Sequence, residues 1–130
     1  MANLVDFIAS ESRKAFRWGE TDCCATADRW VGQVLGYSPL VRFGRLHKSE
    51  QEARQWLSEP GGIAVAVNRV MRAAGLVKTG EPSAGDIALI LHHGKACVAI
   101  HTGEFWFSRD ESGLIGEQLS CRILKAWKIA

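Results

Sequence analysis

Apolar positions recur at helical spacing through the first half of the chain and at strand spacing through the second. Leu4, Phe7, Ile8 and Glu11 mark the stripe of a first helix, which fades at Arg13-Lys14. A second helix is predicted from about Asp22 to Leu35, stopped by Gly36. On it Cys23, Ala27, Trp30 and Val34 share one apolar face, while Asp28 and Arg29 point elsewhere. In "SEQEARQW", Ser49 and Glu52 form a capping-box pattern for a short third helix, broken at Pro60-Gly61-Gly62. A fourth covers Ile63 to Ala74 and stops at Gly75.

Beyond the turn-rich "VKTGEPSAGD" the period changes. "DIALILHHGKACVAIHTGEFWFSRD" reads as β-rich runs punctuated by His93-Gly94-Lys95 and Gly103-Glu104, a meander of antiparallel hairpins, and "CRILKAWKI" fits a last strand. Helices first and strands second predict an α+β class, with N-terminal helices packed on a C-terminal antiparallel sheet.

At 130 residues the chain fits a single domain, 1–130. A net charge of +2, with no basic run interleaved with aromatics, argues against nucleic acid as a partner. Asp6 and Glu11 interrupt what a signal peptide would keep apolar, and no stretch approaches membrane-spanning length. The expectation is synthesis in a cytoplasm without membrane insertion, and no cofactor is implied. The four cysteines, Cys23, Cys24, Cys97 and Cys121, fit no small secreted framework and read as free thiols.

Cys23 is the most suggestive of them. With Thr21 or Asp22 as cap, it falls in the first turn of the second helix, among N–H groups without helical partners. A free thiol titrates near about 8.5, and such a position, with an imidazolium nearby, lowers that. The competing reading makes Cys23 and Cys24 small buried hydrophobes, which holds strongly for Cys24 and only slightly for Cys23.

"WGETDCCATA", then "GDIALIL", then "CVAIHTGEFW", resembles the NlpC-type papain-like cysteine peptidases of cell-wall turnover, and in particular a divergent branch of small proteins of phage and prophage tail regions. The likeness spans most of the chain, including "AWKI". It implies a papain-like fold with Cys23 in the nucleophile's place, Trp18, Gly19 and Asp22 in the motif around it, and Gly85-Asp86 at a strand start. Cys24 and Ala25 stand where the family usually has serine and glycine. The same overlay puts Cys97 in place of the general-base histidine and Ser108 or Arg109 near the third, orienting residue. A thiol is a poor proton shuttle, and a guanidinium has no acceptor with which to orient an imidazole.

Two other histidines compete for the base. His101 shares a strand face with Cys97 but lies about 13 Å from it along extended chain. His93, with His92, precedes the Gly94 turn and reaches Cys23 only if the hairpin register slips. The plainer reading is solvated turn histidines at His92 and His93 and a strand-edge histidine at His101. The same extended geometry disfavours a zinc site, since Cys97 and His101 cannot both lie within about 2.3 Å of one ion. Trp106 belongs to a core strand or, near a cleft, stacks on a sugar or stem peptide.

Two function classes follow from the resemblance. The replaced histidine favours a degenerate domain, a structural or cell-wall-binding component of a phage tail that binds tail proteins or peptidoglycan and resides in the virion. The alternative is an active peptidase or amidase that cleaves peptidoglycan stem peptides with Cys23, using His93 or His101 as base.

Overall fold

The computed structural model describes residues 2–129 and has the predicted class: helices come first, then a six-stranded antiparallel sheet. The helices are α1 (Leu4–Ser12), α2 (Cys23–Leu35), α3 (Pro39–Phe43), α4 (Glu50–Leu57) and α5 (Gly62–Ala73). The strands are β1 (Val77–Lys78), β2 (Ile87–His92), β3 (Lys95–His101), β4 (Trp106–Asp110), β5 (Gly113–Glu117) and β6 (Ile123–Lys128). Their spatial order is β1-β6-β2-β3-β4-β5. The last strand therefore does not extend the meander at its end; β6 returns to lie beside β2.

Local chemistry accounts for the element ends. Asp22 caps α2 by accepting from the Ala25 N–H, and Gly36 closes the helix at φ 84°. Ser49 caps α4 as the pattern requires, but the Glu52 carboxylate reaches back to the Lys48 N–H rather than to that of Ser49. The short α3, bounded by a Ser38 cap, Pro39 and Gly44, was not anticipated, nor were β1 and β5.

The two faces of the sheet build two apolar clusters. Ile87, Leu89, Val98, Ile100, Phe107 and Trp127 meet Phe7, Ala27, Trp30 and Val67 from the helices. The alternate residues, including Ala88, Cys97, Ala99 and Trp106, form the second cluster with Ile115 and Ala126. Trp106 is wholly buried there, so it is a core residue and not the ligand-stacking one that the cleft reading required. The Gly85-Asp86 pair ties elements together. Trp30 Nε1 donates to the Gly85 carbonyl, and the Asp86 carboxylate accepts from the Ser83 and Ile129 N–H groups.

Glu11 is buried although it is charged, because Arg29, Lys14 and Arg109 all converge on it. Burial alone would raise its carboxyl, but hydrogen bonds from Arg29 and Lys14 outweigh that and hold it below the ordinary value. Arg109 spans the joint: its guanidinium donates to the Glu11 and Thr21 carbonyls, fastening β4 to α1 and to the loop before Cys23.

Candidate active site

Cys23 is the first residue of α2, half-buried, and it touches both apolar clusters. The reason lies in the sheet. Strands β3 and β4 pair at Ile100–Phe107 and His101–Trp106 only. Farther along, the Val98 carbonyl accepts from the Ser108 hydroxyl at 2.7 Å, and Cys23, instead of a strand residue, packs against Val98. The helix start thus fits where a β3–β4 ladder would otherwise continue.

The Cys23 thiol is held below its ordinary value. The largest cause is a hydrogen bond from the Cys24 thiol; the Val98 N–H and the Cys24 N–H add to it, against burial and the Asp22 charge. Cys24 moves the other way, well up, because it keeps the proton of the pair and is half-buried.

The sequence reading missed the decisive neighbour, His47. This residue lies in the loop between α3 and α4, is 4% exposed, and places Nε2 at 2.7 Å from Asp22 Oδ2. The same oxygen accepts the Gly19 N–H at 2.6 Å, while Oδ1 caps α2. Asp22 therefore serves the helix and the imidazole at once. Its hydrogen bond from His47 overcomes burial and keeps the carboxyl low, and the reciprocal bond raises His47, as does the nearby Cys23 charge. His47 Nδ1 is buried and has no protein partner. Nothing in the residues around His47 signals this role, because the contact joins positions 25 apart. The only trace is Gly19: at φ +83°, with a Cβ position 2.7 Å from Lys48 Cα and 2.9 Å from the His47 carbonyl oxygen, it admits no side chain.

A cavity of about 500 Å³ opens on Cys23 and is shared by Trp18, Asp22, His47, His93, Cys97 and Arg109. That size falls in the range of small-molecule sites. Cys97, at the position the resemblance assigns to the base, is a buried thiol pushed up to about 12, first by burial. Ser108 is committed to Val98, and Arg109 to Glu11 and Thr21, so neither orients an imidazole. His101 is not brought to the cavity; it packs edge-on against Trp106, with Nδ1 accepting from the Gly103 N–H. His93 does reach the cavity rim, stacked on His92, which is itself bonded to Glu117 at 2.7 Å. Among the described residues no three His, Cys, Asp or Glu side chains are grouped to hold a metal ion.

Residues 1–129 match the family model of DUF6950, a domain of unknown function. The chain belongs to the DUF6950 family. No curated protein and no solved structure matches it. In this DUF6950 domain, then, a low-titrating thiol, a buried imidazole–carboxylate pair and a cavity coincide at the start of α2. No helix among the described residues is long and apolar enough to cross a membrane.

Proposed function

We propose that this domain is a cysteine hydrolase of papain-like type, with Cys23 as nucleophile and His47, held by Asp22, as its acid–base partner. The observation that carries the reading is the buried Asp22–His47 pair lining the same cavity as Cys23. A lowered thiol beside a raised imidazole is the pattern expected of a thiolate–imidazolium resting state. In the reaction the Cys23 sulfur attacks an amide carbonyl, and N–H groups of the first helical turn stabilise the oxyanion. His47 gives its proton to the departing amine. It then takes one from the water that cleaves the thioester and releases the acid. The peptidoglycan stem peptide as substrate and the phage-tail setting rest on the sequence resemblance.

A second reading, a degenerate tail component that binds without cleaving, is favoured by Cys97 standing where the resemblance expects histidine. Incubation with peptidoglycan fragments, read by mass spectrometry for acyl-Cys23 and for released peptide, separates the two. Acylation lost in Cys23→Ala and slowed in His47→Gln supports the hydrolase; intact substrate and an unmodified Cys23 support the binding component.

A further inference from the structure

Asp22 and Cys23 follow a short irregular turn whose bonds are mostly its own. The Glu20 and Thr21 N–H groups donate to the Arg17 carbonyl, and the Thr21 hydroxyl accepts from the Arg17 N–H and donates to the Ala15 carbonyl. The Gly19 N–H reaches Asp22 Oδ2, the oxygen that also holds His47. These bonds shape the turn but leave the Glu20 and Thr21 carbonyls to be met from elsewhere.

Two guanidiniums meet them. Arg29 Nη1 donates to the Glu20 carbonyl at 2.6 Å, and Arg109 Nη1 donates to the Thr21 carbonyl at 3.2 Å, beside the Thr26 hydroxyl at 3.1 Å. The two arginines come from different elements, α2 and β4, and share one anchor. Arg29 sets Nε and Nη2 on the two carboxylate oxygens of Glu11, at 3.1 and 2.5 Å, a two-pronged contact that orients the guanidinium plane. Arg109 donates Nη2 to the Glu11 carbonyl and has Nη1 3.8 Å from Oε1. Burying a carboxylate is costly, and this buried one stands where it fixes the two successive carbonyls before Asp22 and Cys23.

We propose that Glu11 is a positioning residue for Cys23: through Arg29 and Arg109 it holds the turn before α2 so that the Asp22 carboxylate stays set against His47. The inference rests on the hydrolase reading for the role of Cys23 and on the hydrogen bonds alone for the placement of Asp22.

Two substitutions separate positioning from charge and from stability. A lysine at position 29 keeps the charge but lacks the planar fork that grips both carboxylate oxygens while a third nitrogen reaches the carbonyl. Lys14 bonds the same carboxylate at 2.7 Å, yet its ammonium makes no hydrogen bond to residues 17–22 among the described residues.

The test follows Cys23 alkylation by iodoacetamide across pH and the titration of the His47 ring by NMR in intact Arg29→Lys, Glu11→Gln and Lys14→Met, with amide spectra reporting the fold of each. Arg29→Lys and Glu11→Gln should move the Cys23 profile up by about one pH unit, an about tenfold loss of rate below its midpoint. They should also bring the His47 midpoint down toward the ordinary 6.5. Lys14→Met should leave both signals in place. Unmoved signals in folded Arg29→Lys would overturn the proposal, as would equal shifts in Lys14→Met, which mark general loosening; if Glu11→Gln does not fold, Arg29→Lys decides. An ordinary Cys23 profile in the unaltered protein sinks the hydrolase, while the His47 midpoint still reads the placement of Asp22. A low Cys23 profile and a His47 midpoint that Arg29→Lys leaves unchanged keep the hydrolase and end this inference.

Discussion

Gly19 lies directly against the main chain of His47, with a Cβ position only 2.9 Å from the His47 carbonyl oxygen. The Trp-Gly turn is therefore the surface against which the imidazole loop is set, in addition to carrying the N–H that bonds Asp22. Gly19→Ala must relieve both a backbone collision and a left-handed φ. We expect a loss of about 1–3 kcal/mol in urea unfolding, in the range of strained backbone positions. His47 should also move away from Asp22, so the variant should lose rapid Cys23 alkylation even where it stays folded.

The pH dependence of thiol reactivity follows from the lowered Cys23 and the raised Cys97. Iodoacetamide should modify Cys23 well below pH about 8.5, the value of a free thiol, while Cys97 stays unreactive in the same digest. In His47→Gln the Cys23 profile should shift to higher pH. A Cys23 profile indistinguishable from that of a model thiol would remove the basis of the thiolate reading.

Stability should carry the signature of His47. Its pKa is raised in the folded state from an ordinary 6.5, so its contribution is complete below that value and is lost as pH rises through the folded pKa. Asp22, lowered from 3.8, contributes above that value and loses its contribution as pH falls through its folded pKa. Asp22→Asn retains a good cap but gives up the charge, so the decline on the alkaline side should flatten. Chemical unfolding of both proteins across this range checks it; parallel curves would contradict the pairing.

Glu11→Ala leaves the buried Arg109 and the half-exposed Arg29 without their carboxylate. Removing one partner from a buried ionic cluster costs on the order of 3–5 kcal/mol, and thermal unfolding should show a loss of that size. Replacing the exposed Arg17–Glu20 pair should change little, since exposed pairs contribute up to about 1 kcal/mol.

Trp106→Ala should destabilise by about 3–5 kcal/mol, as expected for a large aromatic removed from the core. Trp18→Ala, at the cavity edge, should leave the unfolding midpoint nearly unchanged and alter ligand titrations instead.

Local patterns carried much of this fold. The stripe of α2, its Gly36 stop and the unbroken apolar runs of β2 and β3 are readable because each arises within a few neighbouring residues. What escaped was set by distant partners. β1 has two residues and exists by pairing with β6; β5 is mixed in burial and gains its order from β4. The site divided in the same way. Cys23 was legible because a cap and a helix start are local features. His47 was not, because its meaning comes from a carboxylate 25 residues away and from the space that Gly19 leaves. The emphasis on strand histidines followed from the overlay with Cys97, whereas the imidazole beside Asp22 comes from a helical loop.

Val98 lies where β4 has left the ladder: its carbonyl accepts from the Ser108 hydroxyl, and its N–H helps to hold the Cys23 thiol below its ordinary value. Ionisation of Cys23 should draw on that N–H more strongly than the neutral thiol does. The backbone of β3 is therefore the place where a change of charge on Cys23 should be felt first, and the amide proton of a single valine is the resonance in which to read it.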